Sequence, residues 1–310
     1  MSHSIQKQIS DAEYFADHDF VNASKLKILL DKPSIYLDVE QGDSEAKRFG
    51  RAFHCFLLEP TAFWDRYWVM PELYKGPSYK AGKLVEKYVE EKWDFRKTYH
   101  KDVQAELEAK NAKLSMLMPE DYTAIQKMQE SVYQFGMQER FLEGGEAEIS
   151  TFHEKFKWQY EVENPEKENT TWPLKIKFEK YSKVKVKTDY KISKEDVVIV
   201  TDVKSTRDAS AFAFAKEVYN MHYDLQMALQ IDMISQHEGK PVEYYWLACE
   251  KTFPFCCAWY KPDASMIASG RKKIAIALDR WEQVLLDGFT TTYSAAKYPE
   301  VLQSPAWKLE

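Results

Sequence analysis

The chain has 310 residues, of which 45% are hydrophobic and 30% are charged, enough for one large domain or two small ones. No apolar run approaches the roughly 18 residues that a membrane-spanning helix needs, so the sequence predicts no transmembrane segment. The formal net charge of -6 argues against a protein that coats nucleic acid non-specifically. It leaves room for a nuclease whose basic residues lie in one groove.

The first residues are polar and lack the apolar core of a signal peptide, so we expect a cytoplasmic protein. The four cysteines do not suggest a disulfide framework.

In the N-terminal part, the sequence pattern predicts a polar leader at 1–20 followed mainly by helices. Asn22 can cap the first helix, and Pro60 closes the second, which has an apolar face. The third predicted helix is strongly charged, and the fourth begins at Pro119. These predicted helices cover about 25–30, 44–59, 80–114 and 119–135.

From Gly144 onward the pattern changes to β structure, with a polar loop at 161–173 between two strands. The predicted strands cover 147–158, 174–190, 197–204, 242–249 and 255–260. The predicted helices cover 209–236, with a break near Asn220, and 264–287. This order indicates an α/β or α+β domain with a central mixed sheet flanked by helices. We assign one domain at 21–310, with a helical part at 21–143, a sheet core at 144–262 and a C-terminal helix and tail at 263–310.

Two neighbouring predicted strands carry the residues that point most directly to chemistry. Asp189 lies on the first strand, and Asp202 and Lys204 share one face of the second because side chains alternate along a strand. Carboxylates bind hard cations through oxygen, and a lysine can orient a water and offset charge on a phosphate. The pattern indicates a magnesium-dependent phosphodiesterase, and the alternative is an ordinary surface ion pair.

Further residues extend this set in chain order. The matched positions are Ser24-Lys25-Leu26-Lys27, Gly50, His54, Leu57-Leu58-Glu59-Pro60, Glu148, Asp189, Asp202-Val203-Lys204 and Tyr223-x-x-Gln226. Across about 20–262 the chain resembles the RecE-type (exonuclease VIII-like) branch of the PD-(D/E)XK nuclease superfamily, which is related to lambda exonuclease and the RecB nuclease domain. The helix motif of that family often reads Gln-x-x-x-Tyr, whereas here Gln226 is followed by Gln230.

The resemblance implies a metal site that takes Mg²⁺, with Mn²⁺ able to substitute. Asp189 and Asp202 would ligate the ion with the carbonyl of Val203, and Glu148 would complete or support the shell. His54 would ligate the metal or contact phosphate.

The resemblance also implies the catalytic residues and the activity. Lys204 would position the attacking water, and Gln226, with Tyr223 beside it, would orient the lysine or the phosphate. The implied hydrolase is an exonuclease that degrades linear double-stranded DNA 5′ to 3′. It would leave 3′ overhangs for recombination with a single-strand annealing protein in a bacterium or a phage-infected host. Relatives form rings, so we expect a homo-oligomeric ring and no membrane association.

Lysines alternate with apolar residues along the strand that leads to Asp189, including Lys185 and Lys187. They form either the solvated face of a half-buried strand or a basic ribbon for DNA phosphates. Lys25 and Lys27 are further candidates, for a 5′-phosphate pocket.

Three other functions are compatible with this set of residues. A single-strand exonuclease or an endonuclease of the same superfamily would share the chemistry, and a catalytically silent DNA-binding protein would retain the fold. Some relatives hold an iron–sulfur cluster with one early and three late cysteines. We do not expect one here, because the adjacent Cys256 and Cys257 would point to opposite faces of a strand.

Overall fold

The computed structural model describes residues 4–39, 42, 44–136, 138–163 and 175–293. The elements up to residue 141 are β1 (Ser4–Gln8), α1 (Asp11–Ala16), β2 (Val21–Asn22), α2 (Ala23–Asp31), α3 (Glu45–Leu58), α4 (Phe63–Arg66), β3 (Tyr67–Val69), β4 (Leu73–Lys80), β5 (Lys83–Lys92), α5 (Thr98–Lys110), β6 (Ser115–Leu117), α6 (Pro119–Phe135) and α7 (Gln138–Phe141). The elements that follow are β7 (Glu146–Glu163), β8 (Lys175–Ser193), β9 (Val198–Thr206), α8 (Ala211–Asn220), α9 (Tyr223–Glu238), β10 (Val242–Glu250), β11 (Cys257–Tyr260) and α10 (Ala264–Asp287).

Seven of the described strands form one mixed sheet, in the order β1-β7-β8-β9-β10-β11 with β2 paired to β8. β9 and β10 run parallel, as do β2 and β8, and the other neighbours are antiparallel. Helices α2, α8, α9 and α10 pack on one face, and α3, α4 and α6 pack on the other. The predicted class, a central mixed sheet flanked by helices, is confirmed.

Strand β9 lies inside this sheet and is buried on both faces. Its sequence from Val198 to Val203 is a nearly continuous apolar run, which is what a strand covered on both sides requires. Val198 and Val200 contact the cluster beneath α8, α9 and α10, whereas Val203 contacts the cluster beneath α3 and α6. Because parallel strands need a crossover, α8 and α9 connect β9 to β10.

Helix starts follow from capping residues. The side chain of Asn22 accepts a hydrogen bond from the Lys25 N–H at 2.9 Å, and that of Ser44 accepts one from the Lys47 N–H at 3.3 Å. Pro119 occupies the first turn of α6, where a missing N–H costs nothing. The last helix, α10, has the predicted bounds.

Two N-terminal predictions need correction. The segment 1–20, predicted as a polar leader, contributes β1, which pairs with β7 along its whole length. The segment 80–114, predicted as one helix, instead begins with the second half of a β4–β5 hairpin, and only α5 is helical within it. Ala81 and Gly82 both have positive φ, at 51° and 76°, which is the two-residue turn that matches strand twist. Sequence analysis missed this hairpin because β5 carries many charged residues, and that composition was interpreted as a helix.

Other predictions reach beyond the described residues. Strand β7 extends into the predicted loop as far as Glu163, and the rest of that loop, 164–173, lies outside the described part, as does the tail after 293. None of the described helices has the length and apolar character needed to cross a membrane.

Helices α9 and α10 approach closely at Gly270. A β-carbon there would lie 2.2 Å from the main-chain oxygen of Asp224 and 2.7 Å from the β-carbon of Ala228. We therefore expect Gly270→Ala to lower the free energy of unfolding by about 1–3 kcal/mol, because the helices must move apart. A urea titration measures this change.

Gly50→Ala in α3 is the matched control. A β-carbon there would meet the Ser205 hydroxyl at 3.6 Å, an ordinary contact. Alanine is favoured over glycine within a helix, so we expect equal or higher stability, by up to about 1 kcal/mol. An unchanged urea midpoint for Gly270→Ala would contradict the close-approach argument.

Candidate metal and catalytic site

The site lies where β8 and β9 separate. The two strands pair from Ser193↔Val198 to Tyr190↔Thr201, and the next residue on each strand is an aspartate, Asp189 or Asp202. Beyond this point the Val203 N–H donates to Oδ2 of Asp189 at 2.8 Å. A side-chain oxygen thus takes the place of a backbone acceptor, which keeps a buried amide satisfied.

Strand β7 adds a third acid at the same level. It pairs with β8 on both sides of Glu148, which places this residue opposite Asp189. Glu148 has a left-handed φ of 57°, a conformation that costs a non-glycine residue about 1–3 kcal/mol and that concentrates at functional sites. Its carboxylate lies 2.7 Å from the Lys187 ammonium, which also contacts Asp11 of α1 at 2.5 Å.

Helix α3 completes a group of three possible metal ligands. His54 Nδ1 lies 3.5 Å from Oδ2 of Asp189, and one ligand atom from each of His54, Glu148 and Asp189 lies within 4.8 Å of the other two. Burial, and then the negative charge of Asp189, raise the pKa of Glu148, so the group gains from a cation. Two carboxylates and an imidazole are a donor set that a divalent metal ion accepts, and these residues therefore fit a metal site.

Asp202 is fully buried but does not belong to that group of three. Its Oδ1 accepts a hydrogen bond from Gln226 Nε2 at 2.9 Å, and its Oδ2 contacts the ammonium of Lys204. The sequence prediction that Asp202 also ligates the metal stays a prediction. In this arrangement Asp202 holds Lys204 and Gln226 together.

The surroundings of Lys204 favour the charged form of its side chain. Burial lowers its pKa, but the carboxylates of Asp202 and Asp189 raise it by more, so the pKa lies above its ordinary value. The ammonium lies 4.9 Å from the ring centre of Tyr223, which adds a cation–π contact.

A second lysine reaches the same cluster. Lys27 Nζ donates to Gln226 Oε1 at 2.9 Å and lies 4.9 Å from the ring centre of Tyr223. Burial, together with repulsion from Lys204, lowers the pKa of Lys27 to about 7. The sequence predicted Lys27 in a phosphate pocket, and the structure places it against the helix residues that hold Asp202.

Sequence analysis did not identify Thr206 and Glu217, which also belong to this cluster. The Tyr223 hydroxyl donates to Oε1 of Glu217 at 3.4 Å, and the Thr206 hydroxyl donates to Oε2 of Glu217 at 2.6 Å. Glu217 is one acid on the amphipathic helix α8, and only the crossover after β9 brings it here. No local pattern marks it.

The prediction that Lys185 contacts DNA is wrong. Its side chain is 1% exposed, and its ammonium donates to the main-chain carbonyls of Tyr14, at 2.5 Å, and Asp17. Burial lowers its pKa. Helix α1 covers this face of β8, so the alternation of lysines does not produce a free basic ribbon here.

The remaining predicted positions have structural partners. Lys187 is held by Glu148 and Asp11, and the Lys25 ammonium lies 5.7 Å from the ring centre of Trp281. Gln230, which departs from the family motif, donates to the main-chain oxygen of Lys187 at 2.8 Å and so supports β8. Roles of Lys25 and Lys187 in DNA binding, and of the Val203 carbonyl in metal binding, stay predictions.

Comparison with known proteins agrees with this geometry. Residues 174–296 match a family model described as "PDDEXK-like domain of unknown function (DUF3799)". The match includes Asp189, Asp202, Lys204 and α9, and it leaves out His54 and Glu148.

One solved structure of similar fold covers nearly the whole chain. A crystal structure of a protein from Eubacterium rectale, named "Putative exonuclease", aligns over 96% of both chains with a TM-score of 0.53 and 11% identity. The crystal structure of SSO0001 aligns over 64% of this chain and 73% of its own, with a TM-score of 0.26 and 16% identity. No curated protein matched the chain. The fold is PDDEXK-like, with the site at the fork of β8 and β9.

Asp189 is the test position for the metal site, because asparagine keeps an acceptor for the Val203 N–H while removing the charge. We expect Asp189→Asn to weaken Mn²⁺ and Mg²⁺ binding by at least about 10-fold in calorimetric titrations. Asp102→Asn on the exposed surface of α5 is the control and should bind like the wild type. Equal metal affinity for Asp189→Asn and Asp102→Asn would contradict the assignment.

Proposed function

We propose that this protein is a divalent-metal-dependent deoxyribonuclease that hydrolyses phosphodiester bonds, with Mg²⁺ as the ion and Mn²⁺ as a substitute. The observation that carries the proposal is the convergence of His54, Glu148 and Asp189 within 4.8 Å at the strand fork of a PDDEXK-like fold. Lys204, a largely buried lysine paired with Asp202, lies beside them.

The residues divide the work between holding an ion and stabilising charge. His54, Glu148 and Asp189 would hold the cation. A divalent cation bound there supplies Lewis-acid polarisation of a phosphate oxygen and of a water. Lys204 would position the attacking water and offset charge on the phosphate. Gln226 would fix Asp202, and Asp202 would fix Lys204.

The narrower proposal is a RecE-type exonuclease. It would degrade linear double-stranded DNA 5′ to 3′ and leave 3′ overhangs for a single-strand annealing protein in recombination. It would act as a homo-oligomeric ring in the cytoplasm of a bacterium or a phage-infected host. Support comes from the sequence resemblance and, for the exonuclease activity, from the name given to the Eubacterium rectale protein of similar fold.

Lys204→Ala tests the mechanism on linear duplex DNA with 5′-phosphate ends. We expect the wild type to degrade it with Mg²⁺ and not with a chelator. Lys204→Ala should be slower by about 10²–10³-fold, the usual effect of removing one preorganised donor. Lys101→Ala, at an exposed position of α5, should degrade DNA at the wild-type rate. Full activity of Lys204→Ala would overturn this mechanism.

A closed circular DNA in the same time course separates the alternatives. A strict exonuclease leaves the circle intact, and DNA labelled at one end gives the polarity. Cutting of the circle would identify an endonuclease instead. Preference for a labelled single strand would identify a single-strand exonuclease, and no cutting of any substrate together with no metal binding would identify a silent DNA-binding protein.

A further inference from the structure

A group of aromatic and basic side chains, exposed apart from one half-buried lysine, lies beyond the end of β9 and does not take part in the catalytic cluster. It is formed by the turn after β9, the outer face of α8 and the turn between β10 and β11. We call it the exit patch, and it consists of Arg207, Phe212, Lys216, Tyr219, Lys251 and Phe253.

Hydrogen bonds hold the two turns of the exit patch together. The Lys251 N–H donates to the main-chain oxygen of Thr206 at 3.2 Å, which extends the β9–β10 ladder by one residue. The Ala209 N–H donates to the Glu250 carboxylate at 2.9 Å, and the Tyr260 hydroxyl donates to the Ala209 oxygen at 2.6 Å. Both turns are therefore fixed next to the start of α8.

The aromatic side chains of the patch face solvent. Phe212 is 85% exposed, Phe253 is 87% exposed and Tyr219 is 66% exposed. Phe212, Lys216 and Tyr219 occupy positions i, i+4 and i+7 of α8, so they follow one face of the helix. Single exposed aromatic residues are ordinary, but here Phe212 and Tyr219 share a helix face with Lys216, and Phe253 lies on a turn that hydrogen bonds fix next to the start of that helix.

The cations of the patch are available to a ligand. Within the part of the chain that the structure describes, Arg207, Lys216 and Lys251 form no ion pair. The nearby acids are occupied by other groups: Asp208 accepts the Ser210 N–H at 2.8 Å, Glu250 accepts the Ala209 N–H, and Glu217 accepts the Thr206 hydroxyl. None of these three acids pairs with Arg207, Lys216 or Lys251 in the described part of the chain, so the three cations stay available to phosphate groups.

We propose that the exit patch binds a single strand of nucleic acid, with bases stacked on the three aromatic rings and phosphates near the three cations. Aromatic side chains interleaved with cations are how proteins hold unpaired strands, since every base has a π-face. In a duplex the bases are already stacked on one another, so exposed rings gain little from it. This proposal rests on the proposed nuclease function, because a patch that holds an unpaired strand would present a strand-separated DNA end to the nuclease site.

The exit patch lies within a few nucleotides' length of Lys204. Arg207 directly follows β9 and comes three residues after Lys204, or roughly 10 Å at the rise of a strand. That length corresponds to about three nucleotides of one strand. A strand that has a phosphodiester bond at Lys204 would therefore reach the patch with its next few nucleotides.

Fluorescence anisotropy with a fluorescein-labelled single-stranded oligonucleotide tests the proposal, in chelator so that nothing is cut. We expect the wild type to bind this strand more tightly than a blunt duplex of the same length. The double variant Phe212→Ala/Phe253→Ala should lose at least about 5-fold in affinity for each ring removed. Lys216→Gln should reduce the slope of log Kd against log salt concentration by about 0.7.

Two further variants control the interpretation. Phe135→Ala removes a 52% exposed ring at the end of α6, on the opposite face of the sheet, and should bind like the wild type. Phe212→Tyr/Phe253→Tyr keeps both rings and should retain binding. Because the two phenylalanines are exposed, the alanine variants should unfold at the wild-type urea midpoint.

Three results would overturn the exit patch: no binding of the single strand by the wild type, unchanged binding by the double alanine variant, or equal loss in Phe135→Ala. These results are separable from failure of the proposed function. A protein that cuts DNA with Mg²⁺ while its double alanine variant binds normally retains the nuclease and refutes the patch. A protein that cuts nothing but loses strand binding in that variant retains the patch and refutes the nuclease.

Discussion

The hydrogen bond from the Val203 N–H to the Asp189 carboxylate sets the geometry on which the site depends. Continued pairing of β8 and β9 would set Asp189 directly across from Asp202, and like charges at facing positions destabilise a sheet. The strands separate instead, and the side chain of Asp189 satisfies the amide that separation leaves behind. The opening admits His54 from α3 on one side and Gln226 from α9 on the other.

Charge is distributed unequally between the two parts of the site. Asp202 and Lys204 form a buried pair of opposite charges, which is tolerable because each has its partner. Glu148 and Asp189 together carry more negative charge than Lys187 offsets, since that lysine also contacts Asp11. A cation is therefore favoured at the acid group and not at the lysine pair.

Local sequence patterns predicted the central strands and α10 because their apolar runs are long and their ends carry clear signals. The same patterns placed Asp189, Asp202 and Lys204 on the correct strands. Alternation along β8 could not reveal that α1 covers Lys185, because that cover depends on a segment 171 residues away. Likewise, the contact between Lys27 and Gln226 joins positions 199 residues apart. The β4–β5 hairpin was missed for a different reason, because the charged composition of β5 favoured a helix prediction. For Lys185 and Lys27, sequence analysis therefore identified the residue but not the distant groups that its side chain contacts.

Helix α8 links the catalytic cluster to the exit patch through its two faces. Parallel pairing of β9 with β10 requires a crossover, so a helix must begin close to the end of β9. The inner face of that helix presents Glu217, which binds Thr206 and Tyr223 and so steadies the ring beside Lys204. Its outer face presents side chains to solvent only a few residues from the same lysine. A connection that the topology demands thus brings a surface for an unpaired strand next to the charge that would stabilise its cleavage.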